Sequence, residues 1–381
     1  MKKILFLQNK GNSLGGVWYV NKTLGEELKK RGYDVTILSI RNDKSDIKID
    51  DTSIELKVVN NNDLWEIVHR RDVLNKFMKR GFFKILKQYF SDRKKLNDDY
   101  KKMKLMIKEI NPDYIIASHY QTLLGIPNDY LSRAVYVHHS TFSYLLKDKY
   151  NIKIVKKYND KIYGFYWLSK STMEEANKFG LKKNYYLYNP NKFIFNKNVD
   201  IFKNKKILAI TRFAPEKRID LMLEIVNDVF KNKKLKHWKF ELYGSGELTE
   251  KSKEIISKSS QISYKGLTLN PLEILTTGSI TLNTSLYEGL PLSIIEGYTC
   301  GLPVISFNFG DAIYEIIKND YNGFIIENDN VEEFKNKLND VLLNKELLEK
   351  LSAGAKDFSK NFTSQHIADK WEEVFKNIDK K

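Results

Sequence analysis

Short apolar runs alternate with longer segments of helical spacing along most of this chain. Residues 4–8 read as a buried strand, and 18–31 place Val20, Leu24 and Leu28 on one helical face before Gly32 closes the segment. Residues 35–40 are the next strand. Strand, helix, strand in this order predicts an α/β fold with a parallel sheet. The alternation continues through strands at 54–59, 113–118, 134–137, 165–168 and 185–188. Helical patterns cover 64–109 and 170–179 between them. Residues 191–205 are polar and irregular. A second series follows, with strands at 206–210, 238–243, 262–265, 279–283, 303–307 and 324–326, and helices at 219–230, 291–300, 331–343 and 345–361. The last segment, 363–377, has Ile367, Trp371, Val374 and Phe375 on one face. The pattern predicts domains at 1–190 and 206–360, with a terminal helix at 361–381.

Composition agrees with two domains. The chain has 381 residues and 42% hydrophobic positions, comfortable for two cores. No apolar run reaches the eighteen residues of a membrane span. The opening M-K-K-I-L-F-L-Q-N reads as a first strand, because its apolar run is too short for a signal peptide. Cys300 stands alone, so an internal disulfide and a multi-cysteine metal site are excluded. These features predict a cytoplasmic protein.

The net charge of +16 is unevenly spread. Residues 67–109 carry an excess of nine positive charges. Within them Val73, Leu74, Phe77, Phe82, Ile85 and Tyr89 recur at near-helical spacing, while lysines fill the other face. Gly81 weakens a single straight helix. One reading packs the apolar face on its own domain. The other rests it on an anionic membrane, at the inner face of the bilayer. A lysine-rich composition of the whole chain is the plainer source of the charge. Nucleic-acid binding is not expected, since no recognition motif accompanies the patch.

The chemistry concentrates after strand ends, where open parallel sheets bind ligands. Gly11, Gly15 and Gly16 follow the first strand, without the G-x-G-x-x-G spacing of a dinucleotide site. His119, His138 and His139 follow two later strands. Adjacent histidines on an extended chain point to opposite sides, so the pair is not expected to hold a metal. Arg212 and Lys217 follow the strand at 206–210. Two cations there can flank a diphosphate, one as a fork and one as a point charge. Gly244-Ser245-Gly246 and Gly266 mark further turns. Residues 285–303 read S-L-Y-E-G-L-P-L-S-I-I-E-G-Y-T-C-G-L-P. Glu288 precedes a Gly-Leu-Pro turn, and Glu296 lies on the helix that Pro291 opens and Gly301 ends. Two glutamates usually mean a solvated face. These are embedded in apolar and Gly/Pro residues, where an unpartnered carboxylate is costly, so each is expected to have a partner or a ligand.

This E-G-L-P-x-x-x-x-E-x-x-x-x-G-x-P-V-I stretch resembles the donor-site motif of retaining glycosyltransferases of the GT-B fold, family 4 above all. The likeness is strong over 206–326 and looser over 42–111. It implies two Rossmann-like domains facing each other across a cleft, the donor on the second and the acceptor mainly on the first. It implies transfer from a nucleotide-sugar, a UDP-sugar foremost, to a glycan, lipid-linked or protein acceptor in cell-envelope polysaccharide synthesis. No cofactor or obligatory metal is implied. Arg212, Lys217, Gly16 and the Gly289, Leu290 and Leu292 backbone would hold the diphosphate. The family has Gly before the Arg; here it is Thr211. Glu296, Lys265 and Gly266 would take the ribose and base, Glu288 would orient sugar hydroxyls, and His138 would contact the sugar. Gly15, His139 and Gly244 are second candidates. The family's front-face route needs no separate nucleophile. A sugar-nucleotide epimerase of the same fold and a non-catalytic partner subunit are the alternatives. A hydrolytic acid–nucleophile pair leaves the Arg–Lys loop unexplained.

Overall fold

The structure is a computed structural model describing residues 1–11, 16–42, 52–60, 82–195 and 200–381. Gly15, Gly81 and the basic segment before Phe82 lie outside the described residues. The chain divides into two compact units. The first holds Met1–Leu168, Met173–Leu187 and Ala368–Lys381, and the second holds Ser169–Thr172 and Tyr188–Ile367.

The first unit is built on β1 (Lys3–Gly11), β2 (Asp34–Asn42), β3 (Glu55–Val58), β4 (Tyr114–Ala117), β5 (Ala134–His138), β6 (Gly164–Trp167) and β7 (Asn184–Tyr186). Among the described residues they form one sheet in the order β3-β2-β1-β4-β5-β6-β7, paired in parallel throughout. Parallel neighbours require crossovers. These run through α1 (Gly16–Lys30), α2 (Phe82–Ile110), α3 (Phe142–Leu146), α4 (Lys149–Tyr158) and α5 (Lys170–Lys178). Strands buried on both faces need continuous apolar runs, and β4 and β5 are buried at every position. Leu96, Tyr100, Met103 and Ile107 of α2 are buried, so over these residues the apolar face packs within its own unit. The apolar positions 73–90 that suggested a membrane contact lie outside the described side chains. The short helices α3 and α4 escape the sequence pattern, though the buried Asn151, Ile154, Val155 and Tyr158 keep helical spacing.

The second unit is built on β8 (Lys206–Ile210), β9 (Lys239–Tyr243), β10 (Ile262–Tyr264), β11 (Ile280–Asn283), β12 (Val304–Phe307) and β13 (Gly323–Ile326), in the order β10-β9-β8-β11-β12-β13, again parallel. Its helices are α6 (Ile201–Asn204), α7 (Ile219–Val229), α8 (Glu250–Lys258), α9 (Pro271–Leu275), α10 (Leu292–Thr299), α11 (Ile313–Ile316), α12 (Val331–Leu343) and α13 (Lys345–Ser359). Phe240, Ile280, Phe307, Phe334 and Leu338 are fully buried in its core. The final helix, α14 (Ser364–Asp379), joins the first unit from Ala368 onward. There Phe375 stacks on Tyr114 at 4.4 Å, and the Arg31 guanidinium reaches Asp369 at 2.7 Å and Glu372 at 2.8 Å.

Each sheet therefore reverses its winding direction once, between β1 and β4 in the first and between β8 and β11 in the second. Loops leaving the carboxyl ends of such a pair part in opposite directions and leave a crevice. The two parallel-sheet α/β units are those of the GT-B fold.

Candidate functional site

The crevice of the second unit is a built pocket. Its walls come from the ends of β8 and β11 and from α10, and Lys217, Ser285, Glu288, Ser293 and Glu296 reach it. The backbone brings the two loops together before any side chain does. Thr284 Oγ1 donates to the Lys217 carbonyl at 2.7 Å, and the Leu286 N–H donates to the Glu216 carbonyl at 2.8 Å. Pro215–Lys217 form a single 3-10 turn that ends the approach.

On this frame the Lys217 ammonium contacts Glu288 Oε1, and the Ser285 hydroxyl donates to the same oxygen at 2.8 Å. Both charged side chains are only 15% exposed. A carboxylate so placed needs such partners. Pro291 caps α10 without a side-chain hydrogen bond, so the first-turn N–H groups at Leu292 and Ser293 are left for another acceptor. Gly301, at φ +77°, ends the helical stretch in the left-handed conformation.

Glu296 lies one turn into α10, with its carboxylate 3.6 Å from the Lys192 ammonium. Burial raises the Glu296 pKa above the ordinary carboxylate range, and the lysine works against that rise. Both glutamates thus have cationic partners, as their apolar setting demanded. Lys192 was not legible in the sequence, where 191–205 reads as irregular linker. The one local signal is the Asn189-Pro190-Asn191 break just before it.

Arg212 is placed differently from Lys217. Its side chain is 76% exposed and pairs with Glu216 at 3.6 Å, outside the pocket lining. Its backbone is fixed by neighbours whose N–H groups donate to the strand end and turn at 243–245. Thr211 N–H donates to the Tyr243 carbonyl at 3.0 Å, and Phe213 N–H donates to the Ser245 carbonyl at 2.8 Å. This close approach dictates Gly244. At φ +147°, a Cβ there would stand 1.8 Å from the Thr211 carbonyl oxygen. Gly244 N–H in turn donates to the Gly266 carbonyl at 2.9 Å. Gly244 and Gly246 thus form a shelf against Thr211–Phe213, with Gly266 hydrogen-bonded to Gly244, and the Lys265 side chain is exposed.

Gly289 and the buried Leu290 form the bend between Glu288 and α10 in the second unit, and Gly16, His138 and His139 belong to the first. Gly16 opens α1. His138 is buried with both ring nitrogens engaged, Nδ1 with the Tyr136 hydroxyl at 2.8 Å and Nε2 with the Thr141 carbonyl at 3.1 Å. A carbonyl only accepts, so Nε2 carries the proton. Burial lowers the His138 pKa to about 4. Both His139 nitrogens are buried without a hydrogen-bond partner among the described residues, and burial, then the neighbouring His138 and His119, lower its pKa to about 3. Both imidazoles are neutral near pH 7.

Fold and pocket define the class as a GT-B protein with a cation–carboxylate site at the switch point of its second sheet. Residues 191–358 match the family described as Glycosyl transferases group 1. An uncharacterized glycosyltransferase of Haemophilus influenzae is 25% identical over 387 residues, covering 98% of this chain and all of the relative. A poly(ribitol-phosphate) alpha-N-acetylglucosaminyltransferase of Staphylococcus aureus is 30% identical over 179 residues, 46% of this chain and 36% of that protein. The crystal structure of TarM superposes with a TM-score of 0.75 at 17% identity, covering 98% of this chain and 99% of that one. Anabaena HepE, solved with UDP and glucose, gives a TM-score of 0.69 at 15% identity over 99% of this chain and all of HepE. The sequence likenesses are to glycosyltransferases (EC 2.4), with the family match covering less than half of the chain, and the structural ones show the fold.

Proposed function

We propose that this protein transfers a sugar from a nucleotide-sugar, a UDP-sugar foremost, to a cell-envelope polymer, with retention at the anomeric carbon. The observation that carries this reading is the Lys217–Glu288 contact at the β8–β11 switch point, with Glu296 in the same pocket. In this reading the donor diphosphate competes with Glu288 for the Lys217 ammonium and takes the free N–H groups at the start of α10. Glu288, released from Lys217, accepts hydrogen bonds from the donor sugar's hydroxyls. Glu296 holds the ribose. The bond from the anomeric carbon to the phosphate oxygen breaks, and the bond to the acceptor oxygen forms on the same face. The acceptor proton passes to the leaving phosphate oxygen. The motif's resemblance to retaining family 4 enzymes, the UDP bound in the HepE structure and the alpha linkage named for the S. aureus relative support the donor and the stereochemistry. That relative's polymer supports a polyanionic acceptor, which a chain of net charge +16 would attract. A peripheral position at the cytoplasmic face of the membrane belongs to the same reading. No helix among the described residues is long and apolar enough to cross a bilayer.

The test incubates the protein with a panel of UDP-sugars, with and without poly(ribitol phosphate) or poly(glycerol phosphate). UDP release that requires both substrates, with an alpha-linked product by NMR, is the expected result. Conversion of the donor without acceptor would replace this reading with an epimerase. No turnover and no nucleotide binding would replace it with a non-catalytic subunit.

A further inference from the structure

Glu296 is held by more than its own helix. Asn191 is buried, and its side-chain amide donates to the Ile295 carbonyl at 3.4 Å and to Thr299 Oγ1. Its N–H donates to the Phe362 carbonyl at 2.7 Å, and its side-chain oxygen accepts from Phe193 N–H at 3.1 Å. Asn191 therefore nails the incoming chain to α10 at the residues before and after Glu296. Lys192 comes next, 21% exposed, with its ammonium 4.7 Å above the Phe193 ring and 3.6 Å from Glu296. A surface lysine has many rotamers to lose before it forms such a pair. This one starts from an anchored backbone and lies along an aromatic face, so less is lost.

We propose that Lys192 is a positioning residue that, anchored through Asn191, holds the Glu296 carboxylate ready for the vicinal diol of a nucleotide ribose. The inference rests on the donor-site reading above. The chemistry follows from acceptor count. An ionised carboxylate accepts from both hydroxyls of a diol, whereas a protonated one gives up an acceptor position to its own proton. Burial favours the protonated form of Glu296, and Lys192 opposes it. Among the described residues, the other titratable or charged groups about this carboxylate are the Cys300 thiol at the end of α10, which the Lys356 ammonium of α13 also influences, and the Lys217–Glu288 pair across the pocket. Lys217 is engaged with Glu288, and Cys300 is a neutral thiol whose pKa burial pushes up to about 12. Among the described residues Lys192 is thus the cation within 4 Å of Glu296.

The experiment measures UDP and 2′-deoxy-UDP binding by calorimetry between pH 5.5 and 8 for wild type, Lys192→Arg and Lys192→Met, with folding followed by circular dichroism. Lys192→Met should weaken UDP binding about tenfold at pH 6, the worth of one charge-assisted contact. The loss should shrink as pH rises and Glu296 ionises again. Lys192→Arg should recover most of the affinity, and 2′-deoxy-UDP should show little difference between the three. Wild type that binds UDP while Lys192→Met binds it equally well at every pH would overturn the role of Lys192 alone. Wild type that binds no nucleotide would overturn the donor-site reading and this inference with it.

Discussion

The Lys217 ammonium and the Glu288 carboxylate meet although 71 positions separate them in the chain. They meet because β8 and β11 are neighbours at the point where the second sheet changes direction. Lys217→Met should therefore reduce UDP-sugar turnover by roughly a hundredfold or more, the usual cost of removing one donor to a developing charge. The pair is also structurally coupled. Replacing both partners, as Lys217→Met with Glu288→Gln, should lower the unfolding midpoint by less than the sum of the single changes. Additive losses would show that the contact contributes nothing to folding.

Glu296 predicts opposed effects on binding and stability. Its pKa is raised in the folded chain. Its favourable contribution is therefore present below the unfolded value and lost as pH rises through the folded one, leaving a strained charge at neutral pH. Glu296→Gln should raise thermal stability at pH 7, on the order of 1 kcal/mol, while weakening nucleotide binding. The stability gain should vanish near pH 4. A variant destabilised at both pH values would refute the assignment.

The buried histidines predict an acid limb. The pKa values of His138 and His139 are depressed to about 4 and about 3 from an ordinary 6.5. Their contribution is fully present above pH 6.5 and is lost as pH falls toward those values. Unfolding midpoints measured from pH 7 to pH 4 should fall steeply. His139→Gln should flatten that fall, since a glutamine side chain takes no proton there. His138→Gln should cost stability at pH 7 as well, because it disturbs bonds to Tyr136 and Thr141.

Gly244→Ala tests the shelf. The added methyl would meet the Thr211 carbonyl at a backbone angle that disfavours any side chain. A loss of about 2–4 kcal/mol in chemical denaturation is expected. Gly266→Ala, with open space around its Cβ position but φ +81°, should cost less, about 1 kcal/mol. Equal costs would mean that conformation, not the carbonyl, governs the shelf.

The sequence determined the periodicities, and with them most elements. Residues 206–210, 331–343 and the helix after Pro291 were legible because hydrophobic spacing and Gly/Pro punctuation are local signals. It also marked Glu288 and Glu296, since carboxylates among apolar neighbours demand partners wherever they fold. It could not name those partners. Lys217 was marked as a cation for a diphosphate, not as the partner of Glu288, and Lys192 is one among many lysines; what brings them to the two carboxylates is strand order and the anchoring of Asn191, both long-range. Arg212 shows the converse. Its motif spacing matched Lys217's, yet the turn that carries Lys217 inward leaves Arg212 on the surface with Glu216. Local pattern selects which groups can do chemistry; the parallel sheet, by choosing which loop ends become neighbours, decides which of them face one another.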